Sequence, residues 1–405
     1  WETKGWVAVT DGVLMTDGVE SPLTNLFLRV QLVKGGAELK RLAFRIGNSD
    51  IRLSGLVRNL NRTPTVTLKA ESSILDLGLL IPHDARSPIR DVLEGLAATS
   101  RVVGTFEINR GRYKGIKVND LTGRINIAKG VVDLDRITGE AEDGQLAGRV
   151  VVHLPSRTAA DVEVAFRVQR FPFEKALDLA GDDRRMITGA ITAKGNVRGN
   201  GENPRGVLPT ISGRVDFVIE DGRIQKGTVV PKIISLLNLP NLLQGKIDLT
   251  KDGFPFDQVA GSISIRDGLV TERNLVVDSP VMKMSAAGNY DLASNQLDVI
   301  VVTSPLGSYS QLLKSIPLFG RLLKGDRQGL DTALFRVAGP IQDPTVTYLP
   351  VRSLTTGLLG VAELAYDVLK NAIMLPADLV MPDNDATSGT PPENPAPRGT
   401  LEESP

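Results

Sequence analysis

The chain has 405 residues, with 47 Lys and Arg against 47 Asp and Glu, and only 4% of its residues are aromatic. A chain with zero net charge has no global field to attract nucleic acid, and so few rings cannot form rows of base-stacking platforms, so no nucleic-acid partner is expected. Because the chain has no cysteine, disulfides, thiol catalysis, iron–sulfur clusters and thiolate zinc sites are excluded.

The first residue, Trp1, is followed directly by strand-like alternation. This start predicts that the chain is the C-terminal portion of a longer protein. From there to about residue 350 the pattern is mostly that of β-strands, since short alternating runs are separated by Gly, Asn, Asp and Pro. In residues 161–168 every second side chain is apolar and those between are Glu, Ala and Arg. Each strand is therefore expected to have one apolar face and one polar face.

A unit of several strands followed by a leucine-rich stretch occurs at residues 121–179 and again at 259–313. Both copies contain two glycines at the same seven-residue separation, and Gly130 in the first copy corresponds to Gly268 in the second. A unit of about 50 residues that recurs in this way predicts stacked supersecondary modules rather than independent globules.

Helical spacing of leucines interrupts the strand pattern at two insertions, each with a proline between two short turns. A third helix is predicted near the C-terminus, and the last residues are too polar to bury a core. The predicted organisation is a repeated β segment at 1–210, a β region at 211–350 with helical insertions at 229–245 and 306–324, an amphipathic helix at 351–381 and a disordered tail at 382–405.

Catalytic chemistry has few candidates. The only histidines, His83 and His153, lie seventy residues apart in unrelated contexts, so they predict neither a metal site nor a base-activated nucleophile. The glycine-rich stretch 195–206 is not followed by a predicted helix, so it is interpreted as a connection between strands rather than a phosphate loop. Asp133 and Asp135 alternate on one strand, but paired-carboxylate chemistry needs a facing carboxylate that the sequence does not place. No catalytic residue, metal or cofactor is predicted, and the protein is not expected to be an enzyme.

Two strings carry a family resemblance: IRDGLVTERNLVVDSPVMKMSAAGNYDLASNQLDVIVVTSPLG at 265–307 and FRVAGPIQDPTVTYLP at 335–350. They resemble the C-terminal region of AsmA-like proteins, large bacterial envelope proteins that include TamB-like and YhdP-like members. The resemblance is close over about 210–350 and looser over 40–200. The residues that fall on the family pattern are Gly268, Asp278, Pro280, Gly288, Asp291, Leu292, Leu297, Pro305, Gly339, Asp343 and Pro344.

The resemblance implies a mainly β protein: an elongated, curled antiparallel β-groove built of repeated strand units, with short amphipathic helices inserted and at the C-terminus. It also implies a place in the periplasm, anchored to the inner membrane through an N-terminal segment missing from this chain. Such proteins are similar to bridge-like lipid transfer proteins. The expected function is therefore phospholipid transport between the inner and outer membranes, in support of outer-membrane biogenesis and integrity.

Physical chemistry makes such a groove plausible, because two acyl chains of about 16 carbons cost on the order of 25 kcal/mol to expose to water. An apolar trough removes most of that cost without a catalytic step. The same apolar residues would equally suit a closed sandwich core. The predicted lipid-binding residues are Val162, Val164, Phe166, Val168, Ile263, Ile265, Leu297, Val299 and Val301.

The insertion at 306–324 is expected to cover one end of the trough or to lie in a membrane interface, with core packing as the alternative. Its basic side chains would meet anionic headgroups while the apolar ones enter the acyl boundary. The predicted membrane-contacting residues are Leu312, Leu313, Lys314, Ile316, Phe319, Arg321, Leu322, Leu323 and Lys324.

Two other functions stay open at this stage. One is an envelope assembly or interaction scaffold that affects outer-membrane protein targeting and carries no lipid, with other envelope proteins as partners. The other is a carbohydrate-active or adhesive β-solenoid, which ranks last because rungs of 20 to 25 residues are not evident in the sequence. The expected partners of the favoured function are phospholipid acyl chains and the membrane surface.

Overall fold

A computed structural model of the chain describes residues 5–15, 22–60, 62–80, 88–154, 160–180, 186–201, 204–225, 229–236, 253–280, 282–305, 320–321, 331–350, 359–362, 364 and 367. Strands dominate this part of the chain. They are β1 (Gly5–Leu14), β2 (Leu23–Val33), β3 (Gly36–Ile46), β4 (Ser49–Arg58), β5 (Thr65–Ser72), β6 (Leu75–Asp76), β7 (Arg101–Tyr113), β8 (Ile116–Ala128), β9 (Val131–Ala141), β10 (Gly144–His153), β11 (Ala160–Pro172), β12 (Ile187–Gly201), β13 (Ser212–Ile224), β14 (Phe254–Arg266), β15 (Leu269–Asp278), β16 (Met282–Asp291), β17 (Gln296–Pro305), β18 (Gly320–Arg321), β19 (Asp331–Pro340) and β20 (Thr345–Tyr348).

Helices are short in the described part of the chain. They are α1 (Pro88–Thr99), α2 (Phe173–Ala180), α3 (Pro204–Val207) and α4 (Val229–Leu236), with 3₁₀ turns at Leu77–Leu80 and Leu208–Thr210. Among them, none has the length and apolar character that a membrane crossing requires.

The strands form one sheet in which each pairs antiparallel with the next along the chain, with few exceptions. Strands β5 and β6 both pair in parallel with β7, and α1 lies in the crossover that leads to β7. Near the C-terminus β17 pairs with β19, which also pairs with β18 and β20. The edge strands β1 and β20 do not pair with each other among the described residues, so the sheet is open. The predicted fold class, an antiparallel β-groove with short helices, is confirmed.

The repeated glycines have two structural reasons. Gly130 and Gly268 each occupy the second central position of a two-residue hairpin, where φ is +76° and +77°. The residues before them also have positive φ, so these are the type I′ turns that match the twist of paired strands. The first glycine of each pair lies within a strand, and Gly261 pairs directly with Phe217. A Cβ on Gly261 would lie 3.3 Å from that ring, so the absence of a side chain at Gly261 leaves room for the Phe217 ring.

Directly paired residues point to the same side of the sheet, so each series of paired residues forms a row on one face. One row of paired residues runs without a break from β1 to β19 and contains only aliphatic residues, glycine and one tyrosine; we call it the first apolar row. Its members are Val7, Val30, Leu39, Gly55, Leu68, Gly104, Ile125, Leu134, Val150, Val164, Val197, Gly213, Ile265, Val270, Tyr290, Leu297 and Gly339.

The opposite face carries a polar row one residue out of step with it. Its members are Arg149, Ala165, Asn196, Arg214, Ser264, Thr271, Asn289, Asp298 and Ala338. We call the side of the first apolar row the inner face and the side of this polar row the outer face.

Helices α1, α2 and α4 all pack on the inner face. Ala97 of α1 belongs to a buried cluster with residues of β7, β8 and β9. Ala176 and Leu179 of α2 pack on a second cluster that includes Phe171. Ile233 of α4 is fully buried in a third, which extends to β19. Neither α1 nor α2 is predicted from the sequence, so helices cover more of the inner face than the sequence indicates.

The predicted helical segments are only partly described. The first insertion, 229–245, contains α4, and the rest of it lies outside the described residues. Of the second, 306–324, only Gly320 and Arg321 are described, and they pair as a short strand with β19 rather than forming a helix. In 351–381 the described residues 359–362, 364 and 367 are helical, and the tail 382–405 lies outside the described part. The sheet crosses the proposed division at residue 210 without a break, since β12 pairs with β13.

Candidate functional site

The inner face carries a second row of paired residues beside the first apolar row. We call it the second row, and it crosses the sheet from β9 to β20. Apart from one glutamate, its members are aliphatic residues, phenylalanine and glycine. They are Ile137, Gly148, Phe166, Gly195, Val215, Ile263, Glu272, Gly288, Val299, Val337 and Val346. Two adjacent rows of this composition give the inner face a continuous apolar strip.

All nine residues that the sequence predicts as lipid-binding lie on the inner face. The first apolar row contains Val164, Ile265 and Leu297, and the second row contains Phe166, Ile263 and Val299. The remaining three, Val162, Val168 and Val301, are at alternate positions of the same strands and so face the same way. The structure therefore brings together residues from β11, β14 and β17.

These nine residues differ in their surroundings. Val168 packs against the cluster beneath α2, and the three from β17 belong to or pack against the cluster beneath α4. The other five are half-buried and belong to none of the three helix-covered clusters. Three neighbours that the sequence analysis did not single out share that situation. We call this set the central window: Val162, Val164, Phe166, Val197, Val215, Ile263, Ile265 and Val270.

The C-terminal part of the inner face is filled instead of open. Phe254, Met282, Met284 and Phe335 are almost completely buried there, and Ile233 of α4 packs among them. A buried cluster of this size behaves as a packed core. The structure thus combines both readings of the sequence, a closed core toward the C-terminus and a partly exposed apolar surface in the central window.

Ion pairs join neighbouring strands on the outer face. Arg149 donates two hydrogen bonds, of 2.9 and 2.8 Å, to the carboxylate of Asp133, and Arg336 donates two of 2.8 Å to Asp298. The hydrogen bonds to Asp133 raise the pKa of Arg149, and those to Asp298 raise the pKa of Arg336. These pairs stabilise the charged forms on the polar side of the wall and place no charge on the apolar side.

Glu272 is the exception to the apolar character of the second row. Its Oε1 accepts hydrogen bonds from the backbone N–H groups of Arg273 (2.9 Å) and Asn274 (2.6 Å). Its Oε2 is buried and has no hydrogen-bond partner among the described residues. Burial raises the pKa of Glu272, although the backbone hydrogen bonds act to lower it.

Several other sequence candidates fall elsewhere. The predicted membrane-contacting residues lie outside the described part of the chain, except for the backbone of Arg321 in β18. His153 is half-buried at the end of β10, and His83 lies outside the described residues. Within the described ranges, no three histidine, cysteine or acidic side chains lie close enough together to hold a metal ion.

The interpretation of 195–206 as a connection is wrong for its first half. Residues 195–201 are the end of β12, and they contribute Val197 to the first apolar row. Glycine is needed at position 195 of this strand because a Cβ there would lie 3.0 Å from the Phe166 ring. Gly195, Val197 and Gly199 alternate with polar residues, which is the pattern of a strand. The two glycines made this pattern look like a loop.

Comparison with known proteins gives one family. A family model described as "YhdP protein" matches residues 105–346. The matched region starts in β7, ends in β20 and includes the whole central window. No match was found among curated proteins or among solved structures.

Proposed function

Because the chain belongs to the YhdP protein family, an AsmA-like family of the bacterial envelope, we propose that it is a periplasmic lipid transfer protein. In this proposal it moves phospholipid between the inner and outer membranes along its inner face, and so supports outer-membrane biogenesis and integrity. One observation carries the proposal: the first apolar row crosses the sheet from β1 to β19 without an acidic or basic residue.

The energetics favour such a surface for acyl chains. Each methylene moved from water to an apolar surface gains about 0.8 kcal/mol, and neighbouring strands are about 4.8 Å apart. A row that spans the sheet from β1 to β19 is therefore on the order of 75 Å long when measured across the strands. Along the stretch of the row that no described helix covers, a lipid that advances exchanges one aliphatic neighbour for another, so no step there returns the acyl chains fully to water.

We place the acyl chains in the central window. Leu93 and Leu96 of α1 pack on the cluster beneath that helix, together with Leu68, Ile125 and Leu134 of the first apolar row. Helix α1 therefore occupies the inner face from β5 to β9. The central window, from β11 to β15, belongs to none of the helix-covered clusters and its side chains are half-buried. Val207 of α3 lies at its margin, over Gly199, which pairs with Val162. Lipid headgroups would remain at its solvent side.

In this proposal the chain acts in the periplasm, anchored to the inner membrane by a segment N-terminal to it. The insertion at 306–324 contacts the membrane surface through Lys314, Arg321 and Lys324. Transfer makes and breaks no covalent bond, so the proposal assigns no catalytic residue and no cofactor.

Lipid analysis of the purified chain tests the proposal. The chain is purified without detergent, extracted and analysed by mass spectrometry, and then added to donor vesicles that carry a fluorescent phospholipid and to unlabelled acceptor vesicles. The expected result is co-purified phospholipid and faster transfer to the acceptors. Absence of phospholipid together with an unchanged transfer rate would contradict the proposal.

A scaffold function has one specific observation in its favour. The edge strand β1 pairs only with β2 among the described residues, and Trp6, Val13 and Leu14 on it are 72%, 64% and 48% exposed. An exposed apolar edge is a surface on which another protein can add a strand. Crosslinking from β1 to an envelope protein, with normal cellular function in variants whose central window carries a charge, would favour the scaffold.

A further inference from the structure

Glu272 is the one acidic or basic residue in the two rows that line the inner face. It lies between Ile263 on β14 and Gly288 on β16. A carboxyl group in an apolar wall costs free energy unless it is neutral or paired. The geometry around Glu272 indicates which of these applies.

Two glycines make the space that Glu272 occupies. A Cβ on Gly261 would lie 3.2 Å from Oε2, so the carboxyl group folds over this glycine. On the other side Gly288 has no side chain to contact it. The Oε1 atom is held by the two amides of the adjacent bulge. The side chain is therefore seated in a notch of the wall, with one oxygen fixed and the other buried against apolar neighbours.

Among the described residues, no opposite charge faces Glu272 from the strands packed around it. On the inner side β14 presents Ile263 and Ile265, and β16 presents glycine, alanine and Tyr290, whose hydroxyl donates to Asn295. Tyr290 is thus the one other titratable group of the two rows near it, and Arg273 lies in the bulge. Burial, with no charged neighbour, raises the pKa of Glu272.

We propose that Glu272 makes lipid binding at the central window sensitive to pH. In its neutral form the carboxyl group folds over Gly261 and leaves the second row without a charge. In its ionised form it sets a negative charge among the acyl-chain contacts, because a proton has passed to solvent and no cation replaces it. This inference rests on the proposed function. It adds that the same wall holds lipid more weakly as pH rises.

The raised pKa of Glu272 determines whether lipid binding rises or falls with pH. Since the pKa is raised, the neutral form persists to higher pH than in an ordinary glutamate, and lipid binding falls as pH rises through the folded-state value. A charge that displaces one acyl methylene from the wall weakens binding by roughly fourfold, so we expect the affinity to fall by about that factor across the transition.

The test uses a fluorescent phosphatidylcholine offered in vesicles, because its headgroup does not titrate between pH 5 and pH 8. Wild-type affinity is expected to fall with pH, and Glu272→Gln is expected to bind with the low-pH affinity throughout. Glu163→Gln, on the exposed outer face of β11, is the matched control and should keep the wild-type slope. An unchanged slope in Glu272→Gln, or flat binding in the wild type, overturns the inference. No binding by the wild type at any pH overturns the proposed function with it.

Unfolding gives a readout that does not depend on lipid. Ionisation of an acid with a raised folded-state pKa destabilises the fold, so wild-type stability declines as pH rises from the unfolded value through the folded one. Glu272→Gln should therefore unfold at a higher urea midpoint than the wild type at pH 8 and at the same midpoint at pH 4. A difference of the same size at both pH values would assign Glu272 a purely structural role and overturn the inference.

Discussion

A charge placed in the central window should block lipid binding without unfolding the sheet, and Val164→Asp is the sharpest form of this test. Val164 lies in the first apolar row between Val150 and Val197, and it is half-buried. The next residue, Ala165, is exposed on the outer face and pairs with Arg149. Ala165→Asp therefore puts the same carboxylate on the same strand, one residue away, on the outer face, where it is exposed to solvent and close to Arg149.

The expected losses of folding free energy and of lipid affinity follow from the apolar contacts that Val164 makes. Full burial of a valine side chain contributes about 1.5 to 3 kcal/mol, so loss of the half-buried Val164 should cost about 1 kcal/mol of folding free energy. For the lipid, we take the stretch of acyl chain that faces one strand as about three methylenes. At about 0.8 kcal/mol each, displacing them costs about 2.4 kcal/mol, which is an affinity loss of roughly 50-fold. Ala165→Asp should stay within about twofold of the wild type.

Binding is measured with the fluorescent phospholipid, and folding with far-ultraviolet circular dichroism and urea unfolding. If Val164→Asp fails to fold, Val164→Thr replaces it, since this nearly isosteric change should weaken binding by about fivefold. Full lipid binding by a folded Val164→Asp protein would refute the assignment of the window. So would an equal loss in Ala165→Asp, because the effect would then not depend on the face.

The remaining predictions concern the wall itself. Gly104→Ala would place a Cβ 2.3 Å from the backbone oxygen of Leu68, so it should lower the free energy of unfolding in urea by about 2 to 4 kcal/mol. The control is Gly95→Ala, where a Cβ meets nothing within 4 Å, and it should leave stability unchanged or raise it by up to about 1 kcal/mol. Equal effects of the two substitutions would contradict the steric argument. Partial burial acts to raise the pKa of Asp50, but the N–H groups of Ile74 and the residue before it hold that pKa below its usual value. The stability from this carboxylate is present above the unfolded-state pKa and lost as pH falls through the folded one. Asp50→Asn should therefore cost about 1 kcal/mol at pH 7 and progressively less as the pH falls through the folded-state pKa, and a deficit that does not change with pH would show that charge is not involved.

Period-two alternation was enough to find the residues of β11, β14 and β17 that lie on the inner face, because each strand keeps its register along the predicted stretch. It was not enough to find the first apolar row. That row depends on which residues pair across strands, and glycines such as Gly55 and Gly213 complete it. Pairing between distant segments, including the parallel contact of β5 with β7, is set by tertiary packing and leaves no local pattern.

The inward orientation of Glu272 could not be predicted from the sequence because it depends on a β-bulge. Strict alternation would put Glu272 and Asn274 on one face and Arg273 and Leu275 on the other. The register shifts between Glu272 and Leu275, so both of these residues face inward and the two polar residues between them form the bulge. The glutamate therefore enters an apolar row from a stretch that looks polar throughout.

The missed helices have a different cause. In α1 the apolar residues Leu93, Leu96 and Ala97 follow helical spacing, but the segment is short and begins at a proline, Pro88. Helices of this length are marginal on their own and form because they pack on the sheet. Their presence could be inferred only once the inner face that they cover was known.

Photocrosslinking along β11 tests the central claim most directly. A photoreactive amino acid is introduced singly at each position from Asp161 to Phe166 in cells, and each adduct is identified by mass spectrometry. The account predicts phospholipid adducts at Val162, Val164 and Phe166 and none at Asp161, Glu163 and Ala165, because only the inner face contacts acyl chains. Adducts without this period of two, or adducts to protein alone, would contradict it.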